Sequence, residues 1–166
     1  MEKTLMFVCP FSNSQSFLIN RFPGKDVRFM TALAGVFHFK DRYFSDILGN
    51  FLIDENIKTI YLVQDLHSKF LMEGIKETLV NPNDTITYIA EVFDRHRVEI
   101  SAESNLLQQI SKLSLFLIEE QVEQIHNQPN LQRIIQENKI QIKGMLTEEA
   151  RAKSIEFNVQ PEFQLS

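Results

Sequence analysis

Three short apolar segments, separated by helical patterns, constrain this chain more than any other feature of its sequence. The first, Thr4 to Cys9, stops at Pro10, which has no N–H to give to a strand ladder. The second runs from Val27 to about Ala34, after the turn signal Pro23-Gly24. The third is Ile57 to Gln64, in which Ile60, Tyr61, Leu62 and Val63 are apolar in succession. Near-continuous apolar runs suit strands covered on both faces. Between the second and third runs, Phe44, Ile47, Leu48, Phe51 and Leu52 follow the spacing of one buried helical face. Strand, helix and strand in this order predict a right-handed crossover joining a parallel pair, and so an α/β fold.

The rest of the chain extends the pattern. Leu71, Ile75 and Leu79 predict a helix ended by Asn81-Pro82. Thr85 to Arg95 reads as either helix or strand; helix is favoured, with Asp84 as its N-cap. Ala102 to His126 predicts a long helix with Leu106, Ile110, Leu113 and Leu117 on one stripe. Leu107, Leu115, Phe116 and Ile118 widen its apolar surface, so it is either deeply buried or pressed against a second subunit. After Pro129 a short helix carries Leu131, Ile134 and Ile135. Two strands near residues 139–145 and 154–159 close the chain. Too few residues separate them for a parallel crossover, which predicts an antiparallel pair at the sheet edge.

A length of 166 residues suits one domain spanning 1–166. The net charge of −5, with no Lys/Arg run, argues against a nucleic-acid surface, because phosphate binding needs a basic field. Cys9 is the single cysteine, so no intrachain disulfide forms and a reducing compartment is expected. The apolar run in MEKTLMFVC is too short for a signal peptide, and no stretch reaches membrane-spanning length; a cytoplasmic protein is the expectation.

Open α/β sheets bind ligands beyond the C-terminal ends of their strands. Cys9, Thr31 and Asp65 fall at those ends. A lone cysteine at a strand end is usually a small buried hydrophobe, although a thiol-based enzyme built around Cys9 is a possible reading. His38, His96 and His126 are scattered without ligand spacing, and Asp94 to Arg97 reads as a solvated charge cluster. There is no Gly-rich phosphate loop and no Gly-x-Ser-x-Gly elbow.

The stretch SDILGNFLIDENIKTIYLVQD resembles the helix and strand that lead into the His-x-x-Cys zinc motif of β-class carbonic anhydrases. QVEQIHNQPNLQRIIQENKIQIKGML is similar to that family's closing helices and the strand that follows them. FVCPFSNSQSFLINRFPGKDVRFMTALAG resembles its Cys-x-Asp-Ser-Arg loop, Pro-Gly-Asp turn and Arg-Asn-Ala-Gly strand end. The correspondence runs in order over roughly residues 4–160, with no single motif intact. It implies a three-layer α/β fold with a mostly parallel sheet in the order 2-1-3-4 and an antiparallel C-terminal edge strand. It also implies a homodimer.

The resemblance further implies a zinc held by two thiolates and an imidazole, whose bound water supplies hydroxide to CO2. By position the ligands fall on Cys9, Asp65 and Ser68, so an imidazole and a thiolate are replaced. A serine hydroxyl stays protonated at neutral pH and makes a poor zinc ligand. The family's Asp-Arg pair, which acts on the metal-bound hydroxide, falls on Phe11 and Asn13, while Ser12 between them matches. Of the second strand's rim motif only Ala34 and Gly35 match. The expectation is therefore a catalytically degenerate homologue, without zinc or CO2 hydration, that serves as a binding or assembly protein. Its residual pocket, formed by Cys9, Phe11, Ser12, Asn13, Thr31, Ala34, Gly35, Asp65 and Ser68, would take a small anion or another small molecule. The alternative is a metal-dependent lyase with a rebuilt Cys9/Asp65/His67 zinc site, since zinc accepts sulfur, oxygen and nitrogen donors. Set against that, Asp65 would simply cap the following helix while His67 points to solvent.

Overall fold

The structure is a computed structural model, and it describes residues 2–76 and 78–159. The strands are β1 (Lys3–Val8), β2 (Asp26–Thr31), β3 (Ile57–Asp65), β4 (Gln141–Glu148) and β5 (Lys153–Asn158). The helices are α1 (Ser14–Arg21), α2 (Arg42–Asp54), α3 (Lys69–Gly74), α4 (Asp84–Arg95), α5 (Arg97–Ser101), α6 (Leu106–His126) and α7 (Pro129–Glu137). Short 3-10 turns cover Leu33–Gly35 and Glu149–Arg151.

The strands form one sheet in the order β2-β1-β3-β4-β5. β1 pairs in parallel with β2 and β3, β3 pairs in parallel with β4, and β4 and β5 are antiparallel. The topology expected from the sequence is the one observed. Side-chain alternation along the strands divides the core. On one face Leu5, Phe7, Ile60, Leu62 and Ile142 pack with Leu48 and Leu52 of α2, Ile118 and Val122 of α6, and Leu131 and Ile134 of α7. On the other, Met6, Val8, Tyr61, Val63 and Met145 pack beneath Leu18 of α1. A third cluster joins α3, α4, α5 and α6 through Leu71, Ile89, Val92, Ile100, Ile110 and Leu113.

Several boundaries differ from expectation, each for a local reason. β2 ends at Thr31 rather than near Ala34, because Ala34 and Gly35 both take positive φ and turn the chain away from the sheet. The helix expected to reach Leu79 stops at Gly74, so Leu79 lies outside it. Asn83, not Asp84, caps α4: its side chain accepts the Ile86 N–H at 2.8 Å. α6 begins at Leu106 rather than at Ala102, and Asn105 caps it through the Gln108 N–H at 2.9 Å. Most of its apolar width is spent within the chain. Ile110, Leu113, Leu117 and Ile118 are buried, Leu115 and Phe116 pack against the core, and Leu106 and Leu107 at the first turn stay exposed. β4 runs three residues past 145, to Glu148, which carries it up to the rim reached by β3.

His126 closes α6 in a buried position, and that burial pushes its pKa below the ordinary imidazole value. As pH falls through the usual histidine range, the unfolded chain takes up a proton at this residue that the folded chain refuses. Stability contributed by the neutral form is therefore present above that range and is lost as pH falls from the unfolded toward the folded pKa. The loss is at most about 1.4 kcal/mol per pH unit for a single proton. Urea unfolding between pH 7.5 and 5.5 should show wild type weakening on acidification, with a shallower slope in His126→Gln.

Candidate functional site at the rim of the parallel strands

The parallel strands bring their C-terminal ends to one rim, and the loops leaving β1 and β3 build a cleft there. One lobe, of about 420 Å³, is lined by Cys9, Phe11, Ser12, Asp65, His67, Ser68, Lys69 and Phe70. A neighbouring lobe of about 510 Å³ shares Asp65 and His67 and adds Asn13, Ser16, Phe17, Asn20 and Glu149. Of the residues expected in the pocket, Cys9, Phe11, Ser12, Asp65 and Ser68 meet in the first lobe, and Asn13 lines the second.

Thr31 does not join them. It lines a separate cavity with Phe37, His38, Asp41 and Phe44. Ala34 and Gly35 support the rim from below rather than lining the cleft. Gly35 has φ +66°, and a Cβ there would lie 2.9 Å from the Val63 carbonyl oxygen and 3.7 Å from the Val8 carbonyl carbon. Only glycine lets this turn press so closely on the ends of β1 and β3.

The polar groups of the β3–α3 connection are already engaged. Asp65 Oδ1 accepts the His67 backbone N–H at 2.9 Å, and its carbonyl accepts the Ser68 N–H at 3.1 Å, closing a tight turn. Ser68 is the N-cap of α3, with Oγ 3.4 Å from the Leu71 nitrogen. The helix cap expected of Asp65 is thus supplied by Ser68, three residues on. His67 is half exposed, and its Nε2 lies 3.1 Å from Glu148 Oε2, whose other oxygen is 3.5 Å from Arg151 Nε. The histidine is exposed to solvent as expected, and it also meets a nearly buried carboxylate from β4.

Glu149 holds the opposite wall. The buried Ser14 hydroxyl donates to Glu149 Oε1 at 2.8 Å and lies 2.6 Å from Ser12 Oγ, which in turn is 3.1 Å from the Cys9 carbonyl. Successive residues, Glu148 and Glu149, therefore tie down the loops after β3 and β1. Neither glutamate was singled out in the sequence, nor were Lys69 and Phe70. The available signal was register: β4 runs parallel to β3 with Asp65 opposite Thr147, which puts the two glutamates at the rim.

The zinc implied by the sequence resemblance does not fit these donors. Cys9 offers one thiolate, Ser68 a protonated hydroxyl already used as a cap, and Asp65 a carboxylate with one oxygen already holding the turn. No imidazole stands at the expected position. Cys9, Asp65 and His67, the alternative set, line the same lobe, and among the described residues no group of three His, Cys, Asp or Glu side chains is placed to hold a metal ion.

Gly35→Ala should destabilise the protein by at least about 2 kcal/mol, since it adds left-handed strain to a close backbone contact. Denaturant titration measures the loss, and a variant within about 0.5 kcal/mol of wild type, the range of a neutral surface substitution, would disprove the supporting role.

Comparison with known proteins places this geometry. No family model matches the sequence, and no curated protein matches it. Solved structures do. The β-carbonic anhydrase CafA of Aspergillus fumigatus superposes with TM-score 0.81 at 16% identity, covering 99% of this chain and 79% of its own. A tetrameric β-carbonic anhydrase from Sordaria macrospora gives 0.79 at 14% identity, covering 94% and 80%. The Coccomyxa β-carbonic anhydrase, solved with acetazolamide, gives 0.71 at 14% identity, covering 95% and 74%. With its sheet order, its helical layers and these superpositions in agreement, the chain has the β-carbonic anhydrase fold.

Proposed function

We propose that this protein is a catalytically degenerate member of the carbonic anhydrase fold, a binding or assembly protein that neither holds zinc nor hydrates CO2. One observation carries the reading. Two of the three ligand positions carry Asp65 and Ser68 in place of an imidazole and a thiolate, and the Ser68 hydroxyl caps α3 while one Asp65 oxygen holds the His67 N–H. Phe11, in place of the carboxylate that would act on a metal-bound hydroxide, is 77% exposed and has no group to accept a proton. Losing even an outer-shell partner costs about 10–100-fold in metal affinity, so losing two direct ligands costs far more. The cleft at the rim is then free to serve as a binding pocket.

The protein purified without chelator should carry far less than one zinc per chain and should hydrate CO2 no faster than buffer. Asp65→His with Ser68→Cys should regain zinc binding. Hydration should stay weak until Phe11→Asp and Asn13→Arg are added, because the hydroxide otherwise lacks its orienting pair. Stoichiometric zinc in the unmodified protein, lost on Cys9→Ser or His67→Ala, would establish the metal-dependent lyase instead.

Self-association is part of the proposal, and a cytoplasmic location is its setting. Val98 of α5 and Leu106 and Leu107 of α6 expose apolar side chains, and the similar Sordaria enzymes are tetrameric. Among the described residues no helix is long and apolar enough to cross a membrane. We expect a homodimer burying more than ~1,000 Å² in total. Light scattering that returned a stable 19.4 kDa monomer at micromolar concentration would refute it.

A further inference from the structure

We infer that the Cys9/Phe11/Asp65 lobe of the cleft takes a small aromatic or otherwise planar cation bearing N–H donors, such as an amidine or aryl ammonium. This inference rests on the reading of the cleft as a binding pocket. A volume of about 420 Å³ suits a compact organic molecule. The rim of the lobe is aromatic: Phe11 is 77% exposed, and its ring centroid lies 6.0 Å from that of Phe70 with the planes tilted by 51°. A large apolar side chain this open to water, beside a second ring, presents two π-faces, which attract flat apolar groups and, through their quadrupoles, cations.

The charges of the lobe decide between a cation and an anion. Lys69 and His67 favour an anion, and Asp65 favours a cation. Lys69 is exposed, so its field is screened by solvent. His67 already faces Glu148 at 3.1 Å, which offsets whatever charge it carries. Asp65 is only partly exposed and lines both lobes, and its Oδ1 accepts a single backbone N–H. Its carboxylate keeps acceptor capacity for a ligand. Glu149 adds a second negative charge in the neighbouring lobe, which has no Lys or Arg in its lining. The remaining polar groups, the Ser12 hydroxyl and the Cys9 sulfur, are compatible with an N–H donor. Acceptors beside flat apolar faces match a planar group that donates hydrogen bonds.

Three probes with the same ring and different heads isolate the charge: benzamidine (cationic), benzamide (neutral) and benzoate (anionic). Binding is followed by ligand-observed NMR and calorimetry on full-length protein whose zinc content has been measured in the same preparation. Benzamidine should bind tightest and benzoate weakest. Asp65→Asn keeps an oxygen for the His67 N–H, so the turn survives, yet it should weaken benzamidine about tenfold, the loss of a charge-assisted hydrogen bond. The same change should leave benzamide nearly unaltered. Phe11→Ala, at an exposed position with no fold to lose, should weaken benzamidine roughly two- to fivefold. Lys69→Ala should leave benzamidine unchanged or slightly tighter. Benzoate binding tightest, with affinity lost in Lys69→Ala, would overturn the inference, and so would absence of binding by all three probes. Either result with zinc-free protein sinks the ligand class alone, whereas stoichiometric zinc sinks the degenerate-site reading beneath it.

Discussion

Parallel pairing of β3 with both β1 and β4 is the constraint on which the cleft depends. It brings Cys9, the Asp65–Ser68 turn and the Glu148–Glu149 pair to one end of the sheet, although the chain separates them widely. Neighbouring strands lie about 4.8 Å apart, so side chains at these ends meet without long reaches. Glu148 and Glu149 then tie the loops after β3 and β1 by hydrogen bonds of 3.1 and 2.8 Å that are partly shielded from water. A partly buried carboxylate must be matched, and each of these has a partner within hydrogen-bonding distance.

At the same rim, local backbone bonds and ligand binding compete for the same side chains. A metal site needs donors held off the backbone and aimed at a common point. Here the equivalent side chains turn back on the chain, Asp65 closing a turn and Ser68 capping a helix. These local bonds stabilise the connection from β3 to α3. Backbone approach at the rim depends chiefly on Gly35, with its left-handed conformation against Val8 and Val63. Side-chain donor chemistry and backbone fit follow different physical demands.

The sheet was legible in the sequence because its signals are strong and local. Apolar runs marked β1 and β3, the Phe44 to Leu52 stripe marked α2, and the short separation of the last two strands forced an antiparallel pair. The cleft was legible in part. Cys9 and Asp65 could be placed because they stand at strand ends, and Phe11, Ser12 and Ser68 because the family resemblance aligns them with its site motifs. Thr31 was misplaced because the strand end alone does not reveal which way the chain turns, and the positive φ at Ala34 and Gly35 sends that rim toward Phe37 and His38. Glu148 and Glu149 were missed because β4 was ended too early, which hid them in a loop. The cap of α4 fell one residue from its expected place and the start of α6 four, as helix ends depend on side-chain geometry that periodicity does not encode.

The adjacency of β3 and β4 has a kinetic side. Residues 66–140 lie between two strands that run side by side, so forming this contact carries the entropic cost of closing a long loop. Such non-local pairing slows folding. Until β4 pairs with it, β3 presents an edge of unpaired backbone N–H and C=O groups, the kind of template on which chains stick to one another. Arrival of β4 covers that edge and delivers Glu148 to His67 in the same event. A completed cleft is therefore also the mark of a β3 edge that is paired and closed to other chains.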